Sequence, residues 1–330
     1  MIMTAELRTN RRQACLLVAS LGISRSAASA QPAFPGRPIT LVVGWPAGGS
    51  ADSVARLIGP QMSKILGQQI VIDNRAGAAG NIASEQVARS NADGYTIMMA
   101  TIASHGWNSE LYSTLKYRPV EDFAPVGLIS TSPGTLLVAA SSPYRTVRDL
   151  IEAARAHPGK LNYGSGGAGS SQHMAAAMFR KIAAIDVTHI PFKGVAPAMT
   201  ELMAGRLDFI ISTAAIPFLR SGKIRGLAVA AHQRLPALPD VPTFDQAGLR
   251  GFYTDNWYGL VAPANTPRPI LEALNAALAR TLEDPEVQRQ FSEQGALPVK
   301  PMTIDEYWAF VKRQMPEAAA LVRNAGARVE

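Results

Sequence analysis

Short apolar runs alternate with segments of helical periodicity along the first third of the chain. The apolar runs lie at 39–44, 69–73 and 95–100, and the helical segments between them lie at 50–66 and 81–90. Strands that are buried on both faces of a sheet are expected to be continuously apolar, as these runs are. The alternation of strands and helices predicts an α/β fold with largely parallel sheets.

The same alternation continues through the middle of the chain, which then ends in a helical tail. Strands are predicted at 126–129, 134–139, 186–192, 207–211, 224–231 and 257–263, with another beginning at Leu161, and helices at 147–156 and 196–204. From residue 267 onward the pattern is almost entirely that of amphipathic helices. No period of about 20 to 50 residues repeats, which excludes a solenoid.

The order of these elements predicts two lobes, because a second α/β unit is inserted into the first. We expect the strands at 134–139 and 257–262 to be neighbouring crossovers that form a hinge, with a ligand cleft between the lobes. A chain of this length usually divides into two cores. The predicted division is a signal peptide at 1–30, one discontinuous lobe of 31–132 plus 258–330, and a second lobe of 133–257.

The first 30 residues have the features of an export signal. A basic start (Arg8, Arg11 and Arg12) precedes an apolar core at 14–23, and a small-x-small cleavage site ends at Ala30. We therefore expect export to the periplasm with cleavage after Ala30, by either the general or the twin-arginine route. No later stretch of the sequence is long and apolar enough to span a bilayer.

The amino-acid composition argues against several classes of function. Cleavage would remove Cys15, the only cysteine, so disulfides, thiol catalysis and cysteine-bound metals are not expected in the mature chain. It would also remove four arginines and one glutamate, which lowers the net charge from +7 to +4. The remaining lysines and arginines are scattered, without the basic run that nucleic-acid binding requires. The five histidines show no paired spacing, so neither a metal nor a cofactor is expected.

Two glycine-rich loops are the clearest indication of function, because each joins a strand to a helix that opens on serine. The segments Gly48–Ser50 and Gly169–Ser171 lie at these two helix starts. The first N–H groups of a helix have no partner within the helix and carry partial positive charge, so each loop is a candidate anion site. Two such loops could hold an acid from both sides, although either loop alone could equally be an ordinary tight turn.

Other chemistry fits these loops less well. The segment Gly164–Gly169 matches the dinucleotide pattern G-x-G-x-x-G, but the next strand ends in Lys193-Gly194 instead of the acidic residue that would hold a ribose. No serine in either loop is flanked by the glycines of a nucleophile elbow. Binding without catalysis is therefore the preferred interpretation. The alternative from another class is an exported enzyme that uses His105 or His173 as a base.

Seven ordered segments after residue 34 carry a family resemblance. They are 37–52, 73–82, 93–96, 157–165, 191–194, 238–243 and 257–263. Together they resemble the periplasmic solute-binding proteins of the tripartite tricarboxylate transporter family, often called Bug receptors. The resemblance implies a two-lobe, class II-like periplasmic-binding fold, with a carboxylate held by the loops at 46–50 and 165–171. It also implies delivery to the membrane subunits of a secondary transporter, a partner that many members lack.

The two loops, the adjoining sheet edge and the resemblance together define the predicted ligand-binding residues. They are Trp45, Ala47, Gly48, Gly49, Ser50, Asp52, Ser104, His105, Ser165, Gly166, Gly169, Ser170, Ser171, His173 and Ser212. For Trp45, packing in the core is an equally simple interpretation. We expect the protein to be a monomer. Presentation of the ligand to a membrane sensor is an alternative that the sequence does not separate from transport.

Two departures from the family pattern bear on the ligand. Many members carry an aspartate at the position of Ser212, and most carry phenylalanine at the position of Trp45. An amino-acid ligand needs an acceptor for its ammonium group, and serine supplies only a neutral hydroxyl. We therefore expect an amine-free acid: a dicarboxylate, a hydroxy acid or an aromatic carboxylate.

Overall fold

The computed structural model describes residues 34–325, which form a mixed α/β structure. Its strands are β1 (Ile39–Val43), β2 (Ile70–Asn74), β3 (Thr96–Thr101), β4 (Phe123–Pro133), β5 (Thr135–Ala139), β6 (Asn162–Ser165), β7 (Thr188–Pro191), β8 (Ile210–Ser212), β9 (Ile224–Val229), β10 (Asp255–Pro263) and β11 (Leu297–Pro298). Its helices are α1 (Ser50–Leu66), α2 (Asn81–Ala88), α3 (Asn108–Leu111), α4 (Val147–Ala156), α5 (Ser171–Ile182), α6 (Val195–Met203), α7 (Ile216–Leu219), α8 (Arg268–Glu283), α9 (Pro285–Gln294) and α10 (Ile304–Ala325). The predicted signal peptide at 1–30 lies outside the described residues.

The largest sheet has six strands in the order β11-β4-β10-β3-β1-β2. Strand β1 pairs in parallel with β2 and β3, as expected for strands that are joined through helices. Strand β10 lies between β3 and β4 and is antiparallel to both. The prediction of largely parallel sheets is therefore wrong, because a strand from late in the chain enters this sheet in the opposite direction.

Two smaller sheets are built from the middle of the chain. Strands β8-β5-β9 form an antiparallel sheet, and β6 and β7 form a parallel pair that is joined to it by a bridge between Tyr163 and Phe209. Their core includes Phe179 of α5, which packs against Phe209, Phe244 and Phe252 with ring centroids 5.7 to 5.9 Å apart. This core is distinct from those that pack on the six-stranded sheet.

The chain passes between the large and small sheets at two adjacent places. Pro133, at the end of β4, pairs with Asp255 at the start of β10, and the Gly134 N–H donates to Thr254 Oγ1 over 3.0 Å. We predicted that the strand at 134–139 would be the partner of the one at 257–262. The structure corrects this pairing: β5 lies wholly within the three-stranded sheet, and β10 pairs with β3 and β4.

Local sequence signals account for the helix boundaries. Helix α4 matches the predicted range 147–156, because Thr146 and Asp149 form a reciprocal capping box at its start. The helical tail consists of α8, α9 and α10, and the short strand β11 lies between the last two. Between residues 34 and 325 no helix combines the length and the apolar character that crossing a membrane requires.

Candidate functional site

A cavity of about 180 Å³ lies between segments from the large sheet and segments from the smaller sheets. Six of the predicted residues line it: Trp45, Ala47, Gly49, Ser50, Gly166 and Ser171. The other nine lie outside its lining: Gly48, Asp52, Ser104, His105, Ser165, Gly169, Ser170, His173 and Ser212. The structure thus brings residues of both glycine-rich loops to one cavity, and it places several of the predicted polar side chains behind that surface.

The start of helix α1 presents backbone N–H groups to the cavity. Gly49 is the N-cap residue and, having no side chain, provides no capping acceptor. The first hydrogen bond of the helix runs from the Ser53 N–H to the Gly49 carbonyl. The N–H groups of Ser50 and Ala51 precede that bond, and both residues line the cavity. This helix end can therefore bind an anion.

Asp52 lies outside the cavity lining and stabilises the first loop through hydrogen bonds. Its carboxylate accepts hydrogen bonds from the Gly48 N–H (2.9 Å), Arg56 Nε (2.8 Å) and Asn74 Nδ2 (3.0 Å), and its side chain is 3% exposed. Burial by itself raises the pKa of the Asp52 carboxyl, but these three hydrogen bonds hold the pKa below its usual value. Asp52 therefore stays ionised and shapes the loop, and its charge is offset by Arg56.

The start of helix α5 is partly satisfied by its own side chains. Ser170 is the N-cap residue, and its hydroxyl accepts from the His173 N–H over 3.3 Å. The Gly169 N–H donates to His173 Nδ1 over 3.2 Å, and the Gly169 carbonyl accepts from Trp107 Nε1 over 3.0 Å. Gly169, Ser170 and His173 therefore hold the loop in shape, while Ser171 and Gln172 are the residues of this helix start that reach the cavity.

A third helix start opens into the same cavity, at the helix predicted for 196–204, which was not predicted to belong to the site. Gly194 is the N-cap residue of α6, without a side-chain cap, and Lys193, Gly194 and Val195 all line the cavity. Gly194 has φ +113°, and a Cβ atom placed on it would lie 3.2 Å from Pro46 Cγ of the first loop. The first and third helix starts thus meet closely across the cavity. The only local signal was the Lys-Gly pair after β7.

The rest of the lining is mainly aromatic and apolar. Trp45, Trp107, Trp257 and Tyr258 contribute large rings. Among the described residues that line the cavity, Lys193 carries the only formal charge, and no aspartate or glutamate is present. A site with one cation, three helix starts and no acidic side chain favours an anionic ligand with an apolar body.

Hydroxyl groups from both groups of sheets meet beside the cavity, where Thr213 contacts two residues of its lining. Ser50 Oγ lies 2.7 Å from Thr213 Oγ1, and Thr213 Oγ1 lies 3.4 Å from the Tyr258 hydroxyl. Thr213 directly follows Ser212, whose own hydroxyl is buried and accepts from the Ala214 N–H over 3.2 Å. Ser212 therefore does not meet the cavity as predicted, and its neighbour Thr213 makes the contact with the first loop.

Replacing Thr213 by valine is expected to weaken ligand binding about three- to tenfold, because it removes one hydrogen bond that joins the two sides of the closed cavity. Isothermal titration calorimetry with a binding acid measures the change. Thr200→Val is the matched control, since Thr200 is exposed and bonds only within α6. Equal affinities for Thr213→Val and Thr200→Val would show that the contact contributes nothing to closure.

The two candidate catalytic histidines lie outside the cavity lining, His105 fully buried and His173 partly buried. His105 is fully buried with Ser104, whose hydroxyl lies 2.9 Å from His105 Nδ1, and burial lowers the pKa of His105 to about 3. His173 stacks on His189 at a centroid distance of 4.3 Å, and Ser165 Oγ lies 2.6 Å from His189 Nε2. None of these side chains lines the cavity, so none is placed to exchange a proton with a bound ligand.

Acidification is expected to destabilise the protein through His189. Burial, together with the neighbouring His173, lowers the pKa of His189 from 6.5 to about 4. Because the unfolded chain binds this proton and the folded protein does not, the stabilisation is complete above pH 6.5 and is lost as the pH falls towards 4. Urea unfolding between pH 7 and pH 4.5 measures this loss, which His189→Gln should reduce and the exposed control His157→Gln should not. The same pH dependence in both variants would contradict the assignment.

The family model described as "Tripartite tricarboxylate transporter family receptor" matches residues 54–327. The chain belongs to this family. A relative from Pseudomonas sp. (strain P51), "UPF0065 protein in tcbD-tcbE intergenic region", is 40% identical over 291 residues, which are 86% of each chain. The resemblance drawn from the sequence motifs is therefore confirmed.

Solved structures of similar proteins extend the comparison. A Rhodopseudomonas palustris protein solved with malate, MatC, is 36% identical, covers 88% of this chain and 100% of its own, and has a TM-score of 0.82. The R. palustris protein Rpa4515, solved with adipate, is also 36% identical, with coverage of 90% and 100% and a TM-score of 0.86. The periplasmic binding protein BugD is 33% identical, with the same coverage and a TM-score of 0.85.

These similarities confirm the α/β periplasmic-binding fold and the class of activity. Tripartite tricarboxylate transporter receptors are periplasmic solute-binding proteins and not enzymes. The chain is accordingly a solute-binding receptor, and the alternative of an exported enzyme with His105 or His173 as base is not supported. The positions of both histidines agree with this conclusion, because His105 is fully buried and neither side chain lines the cavity.

Proposed function

We propose that the cavity binds a small amine-free carboxylic acid. The carboxylate would accept hydrogen bonds from the N–H groups at the starts of α1 and α6, close to the Lys193 ammonium group. The aromatic rings that line the cavity would enclose the apolar part of the ligand. The observation that carries this proposal is the meeting of three helix starts at one cavity whose only formal charge is positive, among the described residues.

The preference for an amine-free acid has a different basis from the one predicted. Ser212 lies away from the cavity, so it does not decide whether an ammonium group is accepted. The composition of the lining supports the same conclusion: within the described residues it contains no aspartate or glutamate, and Asp52 is committed to Arg56 and Asn74. A ligand ammonium group would lose its hydration without gaining a charged partner. The adipate in the Rpa4515 structure and the malate in the MatC structure carry no amine.

The family and the sequence support a proposal for export, for closure of two lobes and for delivery of the ligand. We propose that the chain is exported, cleaved after Ala30 and active as a monomer. Two lobes, at 31–132 plus 258–330 and at 133–257, would close on the acid, and the closed receptor would deliver it to the membrane subunits of a secondary transporter. The hydrogen bonds that join Ser50 to Thr213 and Trp107 to Gly169 support a closed arrangement of this kind.

A thermal-shift screen of small acids tests the proposal. Adipate, malate and benzoate are compared with glutamate, aspartate and the neutral adipamide. An acid at a hundredfold excess over its Kd stabilises the protein by about 2.7 kcal/mol, which raises the melting temperature by several degrees. At least one amine-free acid should do so, and adipamide should not. Stabilisation by glutamate or aspartate alone would contradict the proposal.

A further inference from the structure

We propose that Trp107 is the wall that limits the length of the ligand, and that a second chamber behind it is a subsite for the apolar tail of a longer acid. This inference rests on the proposed function of the first cavity. It names Trp107 as a residue that determines specificity, and it assigns a methylene or aryl tail to the second chamber.

The second chamber has a volume of about 200 Å³ and adjoins the first cavity. Helix α5 contributes Met174, Ala175 and Met178 to its walls, and helix α10 contributes Ala318 and Leu321. These side chains are apolar, and methionines adapt to ligands of different shape. Polar residues, among them Tyr253, Thr254, Gln314 and Glu317, line the rest of the chamber. A hydrocarbon tail would therefore pack against the apolar part of the wall that the methionine, alanine and leucine side chains of α5 and α10 form.

Four residues line both spaces and so form the partition between them: Ile102, Trp107, Ser171 and Asn256. Trp107 has by far the largest side chain of the four and is 4% exposed. Its Nε1 donates to the Gly169 carbonyl over 3.0 Å, which fixes the ring against the second glycine-rich loop. Trp107 also belongs to the same buried cluster as Met174 and Ala318, two residues of the second chamber. Removal of the indole would join the two spaces.

Charge decides which end of a ligand enters the second chamber. Glu317 lines it and is exposed, and no lysine or arginine does so among the described residues. The cation and the α1 and α6 helix starts that attract a carboxylate all belong to the first cavity. A carboxylate beside Glu317 would be repelled. The acid group therefore stays in the first cavity, and only an apolar tail gains by extending past position 107.

The affinities of the protein for straight-chain monocarboxylic acids from butyrate to decanoate measure the ligand length that the partition permits. We expect the wild-type protein to favour the short acids, because Trp107 blocks the tail of the long ones. Each methylene group that is buried contributes about a fourfold gain in affinity. In Trp107→Ala, the affinity for decanoate relative to butyrate should therefore rise at least about tenfold over the wild-type ratio, by isothermal titration calorimetry.

Two further variants distinguish the space that loss of the indole opens from the loss of its hydrogen bond to Gly169. Trp107→Phe keeps a ring in the partition and loses the hydrogen bond to Gly169, so it should keep the wild-type preference for short acids. Leu321→Trp, added to Trp107→Ala, fills the second chamber and should return the ratio to near the wild-type value. If Trp107→Ala does not fold, as judged by circular dichroism, Trp107→Leu opens the partition with a smaller loss of buried surface.

The outcomes distinguish this inference from the function on which it rests. A wild-type protein that binds short acids, combined with an unchanged ratio in the folded Trp107→Ala or Trp107→Leu variant, overturns the inference alone. An equal gain in Trp107→Phe, or a gain that survives Leu321→Trp, also overturns it. A wild-type protein that binds none of the acids, adipate and malate included, overturns the proposed function as well.

Discussion

Replacing Ser50 by aspartate is expected to weaken binding of a carboxylic acid at least about 100-fold. Ser50 is the first residue of α1 and lines the cavity, so the new carboxylate would lie beside the ligand's own. Two like charges about 4 Å apart repel by about 4 kcal/mol at the effective dielectric constant of a protein surface. Folding should be unaffected, because an acidic side chain in the first turn is favourable to a helix.

Ser50→Asn is the matched control for this substitution. It has nearly the same volume as aspartate and also loses the serine hydroxyl that contacts Thr213, but it carries no charge. We expect its affinity to fall about tenfold or less, which corresponds to the loss of one hydrogen bond. Isothermal titration calorimetry compares the two variants. Equal affinities in Ser50→Asp and Ser50→Asn would show that no anion binds at this helix start.

Replacing Gly194 by alanine is expected to weaken binding roughly 30-fold. Any residue with a Cβ atom is destabilised by about 1 to 3 kcal/mol in the backbone conformation of Gly194. Gly194 has φ +113° and ψ 168° at the start of α6. The alanine methyl group would also lie 3.2 Å from Cγ of Pro46, which belongs to the first glycine-rich loop on the opposite side of the cavity. The variant can relieve both effects by moving the α6 N–H groups away from the ligand.

Gly205→Ala controls for the general cost of alanine at positive φ. Gly205 has φ +70°, and a Cβ atom there would meet nothing within 4 Å. It follows α6 at the end away from the cavity, so this variant should lose stability and keep the wild-type affinity. Calorimetric affinities and urea unfolding separate the two properties. An affinity loss of the same size in both variants would refute a specific role for the α6 start.

The two glycine-rich loops could be predicted from the sequence because their signals are local. An apolar strand, two or more glycines and a serine within a few residues determine both the turn and the helix start. Helix α1 accordingly begins at Ser50, and α5 begins at Ser171. The third helix start at Gly194 has a weaker local signal, a single glycine after a lysine. Its place at the cavity depends on the pairing of β6 with β7, which brings distant segments together.

Side-chain direction was harder to predict than position along the chain. Ser104 and His105 follow β3 at the expected edge of the sheet, but the chain makes a π-helical turn at Ala103–Trp107. His105 is consequently buried, while Ile102 and Trp107 reach the cavity. Nothing in the residue pattern at 101–107 indicates this turn. The same limit applies to Ser212, whose hydroxyl bonds to the Ala214 N–H, so that Thr213 makes the contact instead.

A crystal structure with an acid identified by the thermal-shift screen tests the binding of a carboxylate at the helix starts most directly. The carboxylate oxygens should lie about 2.7 to 3.2 Å from the backbone nitrogens of Ser50 or Ala51 and of Val195. The apolar part of the ligand should lie among Trp45, Trp107 and Trp257. A carboxylate bound elsewhere, or one held in the cavity only by side chains, would contradict this mode of binding.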